Sequence, residues 1–240
     1  MTEPYDLSDA RVVVTGGSRG IGNHIAHAFV AAGARVVITG RDATTLSSAA
    51  AAIGNGCLPL VCDQIDPSAI DRMAEQVLGE WGGIDILVNN AGGGGGGPMP
   101  EMTLEAWRRV IDTNLTGVFY TTRCFLPSMI AQQRGDIFII GSMSGKSPDP
   151  GGSAYAAAKF GLRGFAQSLL YDVRRSNVRV MVVNPSATAT GADEGPAHGP
   201  GIYLHAADIA ATLVHLARLP GRTLFRDMDV WGTNPFPPGE

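Results

Sequence analysis

The sequence predicts an α/β fold: one domain, residues 1–240, built as a doubly wound parallel sheet of about seven strands with helices on both faces. Three observations carry that expectation. Short runs rich in Val, Ile and Leu alternate with longer, Ala-rich stretches of helical character. The short runs are apolar at consecutive positions, as strands covered on both faces should be. A length of 240 residues suits one large α/β domain with a substantial core.

The first strand is Arg11–Thr15 (RVVVT), followed by a helix over Ile21–Ala32. Strand Arg35–Thr39 leads to helix Ala43–Ile53, and strand Gly56–Val61 to helix Pro67–Trp81. Strand Ile84–Val88 precedes the longest helical stretch, Leu104–Gln132. Strand Asp136–Gly141 is followed by helix Ser153–Arg175, and strand Val178–Val183 by helix Ala206–Leu219; Thr223–Val230 closes the series. Right-handed crossovers through such a series favour double winding. Two stretches break the rhythm: Gly92–Pro98, a glycine run ending in proline, and Gly191–Gly201, rich in Gly and Pro. Both follow strand ends, where this architecture binds ligands. Both are expected to border a cleft, with residues 191–203 as a substrate-loop region.

Hydrophobic residues make up 45% and charged residues 17% of the chain, an ordinary globular mix. The net charge of −4 offers no basic field for nucleic acid or an anionic membrane. Every apolar run is too short to span a bilayer. The N-terminal MTEPYDLSDA is polar and acidic, unlike a signal peptide. Cys57, Cys62 and Cys124 show neither paired metal-ligand spacing nor a disulfide framework, and the five histidines form no His-x-x-x-His cluster. No metal site is expected, and the cysteines read as reduced thiols of a cytoplasmic protein. The only lysines are Lys146 and Lys159, so the place of each is informative.

The first strand runs straight into TGGSRGIG, Thr15 to Gly22, and then into a helix. Glycines at 16, 20 and 22 would permit a tight turn, close backbone approach to a pyrophosphate and close helix–strand packing. The helix N-terminus would offer free N–H groups to the phosphates. The second strand ends VVITGRD, with Gly40 where an NAD site typically carries an acid for the ribose hydroxyls. Arg41 follows, and Arg19 lies inside the glycine turn. Two guanidiniums could grip a 2′-phosphate, which favours NADP(H). Asp42, one residue further, should point elsewhere.

In YAAAK, Tyr155 and Lys159 stand at i and i+4, on one face of the predicted helix. A free phenol, with a pKa near about 10, is a poor proton shuttle at neutral pH, and a nearby ammonium should lower it. Ser142 stands just past the strand IFII, NNAG (Asn89–Gly92) follows the strand DILV, and Asn114 lies in IDTNLTG. This ordered set resembles the short-chain dehydrogenase/reductase family over nearly the whole chain, and a Rossmann-type domain is what that resemblance implies. It makes Tyr155 the proton donor in reduction and acceptor in oxidation. Lys159 would tune Tyr155 and bond the nicotinamide ribose, Ser142 would hold the substrate oxygen, and Asn114 would hold a water in a proton relay. Gly16, Ser18, Arg19, Gly20, Ile21 and Gly22 would cradle the cofactor. Asp63 would contact its adenine, Asn90 its ribose side, and Thr188 and Thr190 its nicotinamide.

Departures from the family pattern are Pro185-Ser186, where Pro-Gly is usual, and Gly141, where a second serine often precedes the catalytic one. The implied activity is hydride transfer between NADP(H) and a small carbonyl or secondary alcohol. Reduction of a 3-oxoacyl thioester is the alternative substrate class. A non-catalytic NADP(H) sensor, and a dehydratase or epimerase, are the other readings. The family resemblance also implies a homo-oligomer, a tetramer or dimer, formed through the helices near Leu104–Gln132 and Ser153–Arg175.

Overall fold

Two hydrophobic cores, one on each face of a single sheet, explain why the central strands carry consecutive apolar residues. Val12 and Val14 of the first strand pack into one core and Val13 into the other. The computed structural model describes residues 5–54, 56–190 and 203–233. Its elements begin β1 Arg11–Val14, α1 Gly20–Ala31, β2 Arg35–Gly40, α2 Ala43–Ile53, β3 Cys57–Val61, α3 Pro67–Trp81 and β4 Ile86–Asn89. They continue α4 Leu104–Ile111, α5 Gly117–Gln132, β5 Gly135–Ile140, α6 Ser153–Val173 and β6 Val178–Pro185. The short pair β7 Thr188–Ala189 and β8 Leu204–His205 precedes α7 Ala206–Arg218 and β9 Asp227–Val230.

Seven strands pair in parallel in the order β3-β2-β1-β4-β5-β6-β9, as a doubly wound sheet requires. Helices α1, α2 and α7 cover one face through Phe29, Leu46 and Leu213. Helices α3, α5 and α6 cover the other through Ile70, Phe125 and Leu162. Strand order reverses between β1 and β4, so their carboxyl ends open a crevice. Among the described residues, no helix is long and apolar enough to cross a membrane.

The single helix expected over Leu104–Gln132 is instead interrupted by a π-helical turn, Asp112–Thr116. There the Asn114 side chain enters the helical ladder, its Nδ2 donating to the Val110 carbonyl at 2.9 Å. The last strand starts at Asp227, not Thr223, because Thr223 closes a turn on the Pro220 carbonyl at 2.8 Å. The β7–β8 pair has no counterpart in the sequence reading; two residues per strand leave no pattern to read. Residues 191–202 of the expected substrate loop lie outside the described residues.

The foot of the sheet, away from the crevice, is tied by Asp85. Its carboxylate accepts from Arg11 Nε at 2.9 Å and from Arg134 at 2.5 Å, while Arg11 Nη1 donates to the Trp81 carbonyl at 2.9 Å. Burial acts to raise the Asp85 pKa, but the Arg11 and Arg134 hydrogen bonds outweigh it and hold it at about 2. A depressed folded-state pKa means stability present above the ordinary carboxylate range and lost as pH falls toward about 2. Asp85→Ala leaves Arg11 half-buried without its carboxylate and should cost about 3 kcal/mol in urea unfolding at pH 7. The difference between variant and parent should shrink as the pH is lowered toward 2. A cost that is constant with pH would show that the charge is not what matters.

Candidate active site

A cavity of about 790 Å³ opens at the carboxyl ends of β1, β4, β5 and β6. Its floor is the turn between β1 and α1. Gly16 and Gly20 adopt φ of +68° and +58°, the left-handed region that favours glycine. A Cβ on Gly22 would overlap both Asn90 Nδ2 and the Gly16 carbonyl oxygen, so helix and turn meet only because position 22 is bare. Helix α1 begins without a side-chain cap and with no acid in its first turn. Its leading N–H groups and positive dipole end are therefore unopposed at the cavity floor. This cradle fits a pyrophosphate.

Ser18, Arg19, Gly20 and Ile21 line the cavity, as do Gly40 and Arg41 at the end of β2. Any side chain at position 40 would press on Leu46 Cδ1 at 3.2 Å and Ser18 Oγ at 3.4 Å. The carboxylate of Asp42 turns away, as expected, and caps α2 by accepting from the Thr45 N–H at 2.7 Å. Among the described residues, the cavity wall carries Arg19, Arg41, Arg109 and Lys159 but no carboxylate. Such a wall suits a dinucleotide with an extra phosphate.

Asn114, Ser142, Tyr155 and Lys159 line the same cavity. Lys159 is buried, with Nζ donating to the Ile140 carbonyl at 2.8 Å and lying 5.4 Å from the centre of the Tyr155 ring. Burial lowers its pKa to about 8. The Tyr155 pKa is raised by burial, with the neighbouring Ser142 hydroxyl acting against the shift. That departs from the expectation of a phenol lowered by its ammonium: desolvation of the phenolate dominates, and the Ser142 hydrogen bond offsets it only in part. Ser142 Oγ accepts from the Ser144 N–H at 3.1 Å, which orients the hydroxyl at the cavity wall. The Asn114 side chain is occupied: Nδ2 donates to the Val110 and Gly93 carbonyls, and Oδ1 accepts from Gly93 N–H at 3.0 Å.

Gly92–Gly96 of the glycine run border the cavity, as expected. Asn90 also reaches the wall, but its Nδ2 donates to the Thr15 and Gly16 carbonyls at 2.9 and 3.1 Å. Its first task is thus to brace the phosphate turn. Thr188 and Thr190 line the wall, and Thr190 approaches Gly20 from across the cleft. Asp63 is absent from the wall between its neighbours Cys62 and Gln64; its carboxylate accepts from Ile65 N–H at 3.2 Å. Burial pushes the Cys62 thiol up to about 11, so it stays protonated and unreactive.

Wall residues without a sequence signal include Gln64, the α4 face of Ala106, Arg109 and Val110, and Thr113 of the π-helical turn. The α4 spacing is visible in the sequence, but its direction depends on the π-helical turn. Gly141 is explained: a Cβ there would overlap the buried Asn184 Oδ1. A serine at 141 is incompatible with this placement of Asn184.

A glycine cradle at the switch point of a doubly wound sheet, sharing one cavity with a Ser/Tyr/Lys/Asn set, defines a dinucleotide-binding α/β protein. The short chain dehydrogenase family model matches residues 10–198. The chain is 38% identical over 175 residues to the NADP-dependent 3-hydroxy acid dehydrogenase YdfG of Salmonella typhi, covering 72% of this chain and 71% of that one. It is 36% identical over 178 residues to the 3-oxoacyl-[acyl-carrier-protein] reductase FabG of Escherichia coli, covering 74% and 73%. A metagenomic short-chain oxidoreductase solved in complex with NADP has a TM-score of 0.83 at 35% identity, covering 95% of this chain and all of that one. The closed form of a serine dehydrogenase complexed with NADP+ has a TM-score of 0.84 at 30% identity, covering 92% and 94%. The chain belongs to the short-chain dehydrogenase family.

Proposed function

We propose that the protein is an NADP(H)-dependent oxidoreductase acting on a small carbonyl or secondary alcohol, with 3-oxo acid/3-hydroxy acid pairs among the first to test. One observation carries this reading: Ser142, Tyr155 and Lys159 open onto the same cavity as the glycine cradle and the Arg19/Arg41 pair, whose described wall holds no carboxylate. The relatives named for NADP and for 3-hydroxy acids point the same way.

The bound nicotinamide supplies or accepts the hydride. In reduction Tyr155, protonated at neutral pH, donates its phenolic proton to the carbonyl oxygen as negative charge grows there. The Ser142 hydroxyl donates a hydrogen bond to that oxygen. Lys159, held by Ile140, lies beside the phenol and supports the phenolate left behind. Because the Asn114 side chain is occupied by Gly93 and Val110, any water it holds for a proton relay rests on its main chain. Arg19 and Arg41, on the cavity wall, would hold the 2′-phosphate. Asn90 would support the ribose side through the turn it braces, Asp63, just off the cavity wall, would meet the adenine, and Thr188 and Thr190 would flank the nicotinamide.

The protein is further read as cytoplasmic and homo-oligomeric. Exposed Phe119 and Phe160 on α5 and α6 supply apolar surface for a second copy. Steady-state oxidation of NADPH across a panel of small ketones, 3-oxo acids and 3-oxoacyl thioesters tests the function. Turnover confined to thioesters would assign the alternative substrate class. NADPH binding without turnover of any member would sink the reading in favour of a sensor.

A further inference from the structure

The catalytic reading leaves Lys146 unused, although it is one of only two lysines in the chain. It also leaves unused an ionic cluster beside the Ser142 turn. The cluster centres on Asp227 of β9. Its Oδ2 accepts from Arg163 Nε at 3.0 Å and Nη2 at 2.8 Å. Its Oδ1 accepts from Asn184 Nδ2 at 2.5 Å and lies 3.2 Å from Lys146 Nζ. Both carboxylate oxygens are therefore occupied. Lys146 also donates to Asp229 at 2.5 Å, and Asn184 reaches Asp229 at 3.1 Å.

Arg163 uses its remaining nitrogen on the catalytic side of the cluster. Nη1 donates to the Gly145 carbonyl at 3.0 Å. Gly145 closes the short 3-10 helical turn Met143–Gly145, which Ser142 caps. The turn starts at the hydroxyl that is to hold the substrate oxygen, and Arg163 grips its far end. Between them, Ser144 N–H donates to Ser142 Oγ at 3.1 Å and Gly145 N–H to the Ser142 carbonyl at 2.9 Å. The fit against α6 is close, since a Cβ on Gly145 would lie 3.0 Å from the Lys159 carbonyl carbon and oxygen. Arg163 itself stands one helical turn beyond Lys159. Released from Arg163, the turn loses the side-chain bond that fixes it to the helix bearing Tyr155 and Lys159.

We propose that Arg163 is a positioning residue: held by Asp227, it fixes the turn that aims the Ser142 hydroxyl at the substrate oxygen. Lys146 and Asn184 hold Asp227 in turn. The geometry requires arginine, because one guanidinium plane reaches both Asp227 and the Gly145 carbonyl, whereas an ammonium is a point donor without that fork. This inference rests on the catalytic reading of Ser142 above.

The test is a double-mutant cycle on the full-length protein. Arg163→Met should lower kcat about 10- to 100-fold, the order expected when a hydrogen-bonding group is slightly misplaced. KM for NADPH should not change, because Arg163 is not on the cofactor wall. In a Ser142→Ala background the same substitution should cost almost nothing, since the hydroxyl it positions is gone. Arg163→Lys should recover part of kcat. The near-isosteric Asp227→Asn keeps the packing and should show the same dependence on Ser142, which guards against an Arg163→Met protein that does not fold. Equal losses in the wild-type and Ser142→Ala backgrounds would make the cluster a fold element and overturn the proposal. So would undiminished kcat in folded Arg163→Met. Wild-type kcat in Ser142→Ala alone would instead overturn the catalytic reading from which it starts.

Discussion

Tyr155→Phe should lower kcat for ketone reduction about a thousandfold while leaving NADPH binding intact, the order of magnitude lost when a positioned proton donor is removed. The substitution deletes one oxygen from a side chain that is largely buried, so packing is preserved. Hydride chemistry belongs to the cofactor, but the alkoxide it generates then lacks its proton source. The pH dependence follows from the environment of the pair. Burial holds Tyr155 above its ordinary pKa, so the acid is fully loaded at neutral pH. Lys159 is charged below about 8 and neutral above it. Reduction should therefore be flat through neutral pH and decline as pH passes about 8, when the ammonium that supports the phenolate is lost. Oxidation of the alcohol needs Tyr155 as a base, so its rate should rise with pH across the neutral range. Full activity in Tyr155→Phe would remove Tyr155 from the chemistry. A fall in reduction centred well below 8 would assign the control to another group.

The parts of this site that depend on local chemistry are legible in the sequence. Continuous apolar runs locate six of the seven strands of the main sheet, because a strand buried on both faces cannot hide its composition; β9, Asp-Met-Asp-Val, has no such run and its start is misplaced. The phosphate turn is legible because glycines at 16, 20 and 22 answer to backbone geometry alone. Tyr155 and Lys159 share a helical face by spacing. What escapes depends on partners distant in the chain. The π-helical turn arises because Asn114 bonds Gly93 and Val110, and no periodicity announces it. Gly141 looks like a departure from a pattern until Asn184 is seen to stand where its Cβ would lie. The direction of the Tyr155 shift escapes because charge spacing is visible in a sequence and desolvation is not. Arg163 and Asp227 lie far apart in the chain, and it takes both the packing of α6 on β6 and the parallel pairing of β6 with β9 to bring them together.

Replacing Arg19 and Arg41 together by Ala should raise KM for NADPH about a hundredfold and leave KM for NADH unchanged. Charge balance at a single end of the cavity sets this effect. Both residues stand on its wall, and neither makes an ion pair with a carboxylate among the described residues. The nearest acid in the chain, Asp42, is turned into the α2 cap. A hydrogen bond from a guanidinium to phosphate is worth about 1.5–3 kcal/mol, and solvent exposure of these arginines puts each near the low end. Two such losses give roughly the hundredfold stated. NADH lacks the 2′-phosphate and should not sense the change. The remaining NADPH affinity should weaken less steeply with salt than in the parent, because fewer charges are screened. Adding Gly40→Asp should complete the exchange. A carboxylate at the end of β2 can bond the ribose hydroxyls of NADH and repel the extra phosphate of NADPH. Its Cβ meets only the Leu46 side-chain end at 3.2 Å and the Ser18 side chain, with the hydroxyl at 3.4 Å, contacts that small side-chain shifts relieve. An equal loss for both cofactors in Arg19→Ala/Arg41→Ala would mean the arginines serve the shared pyrophosphate, and the basis of the NADP(H) preference would lie elsewhere on the wall.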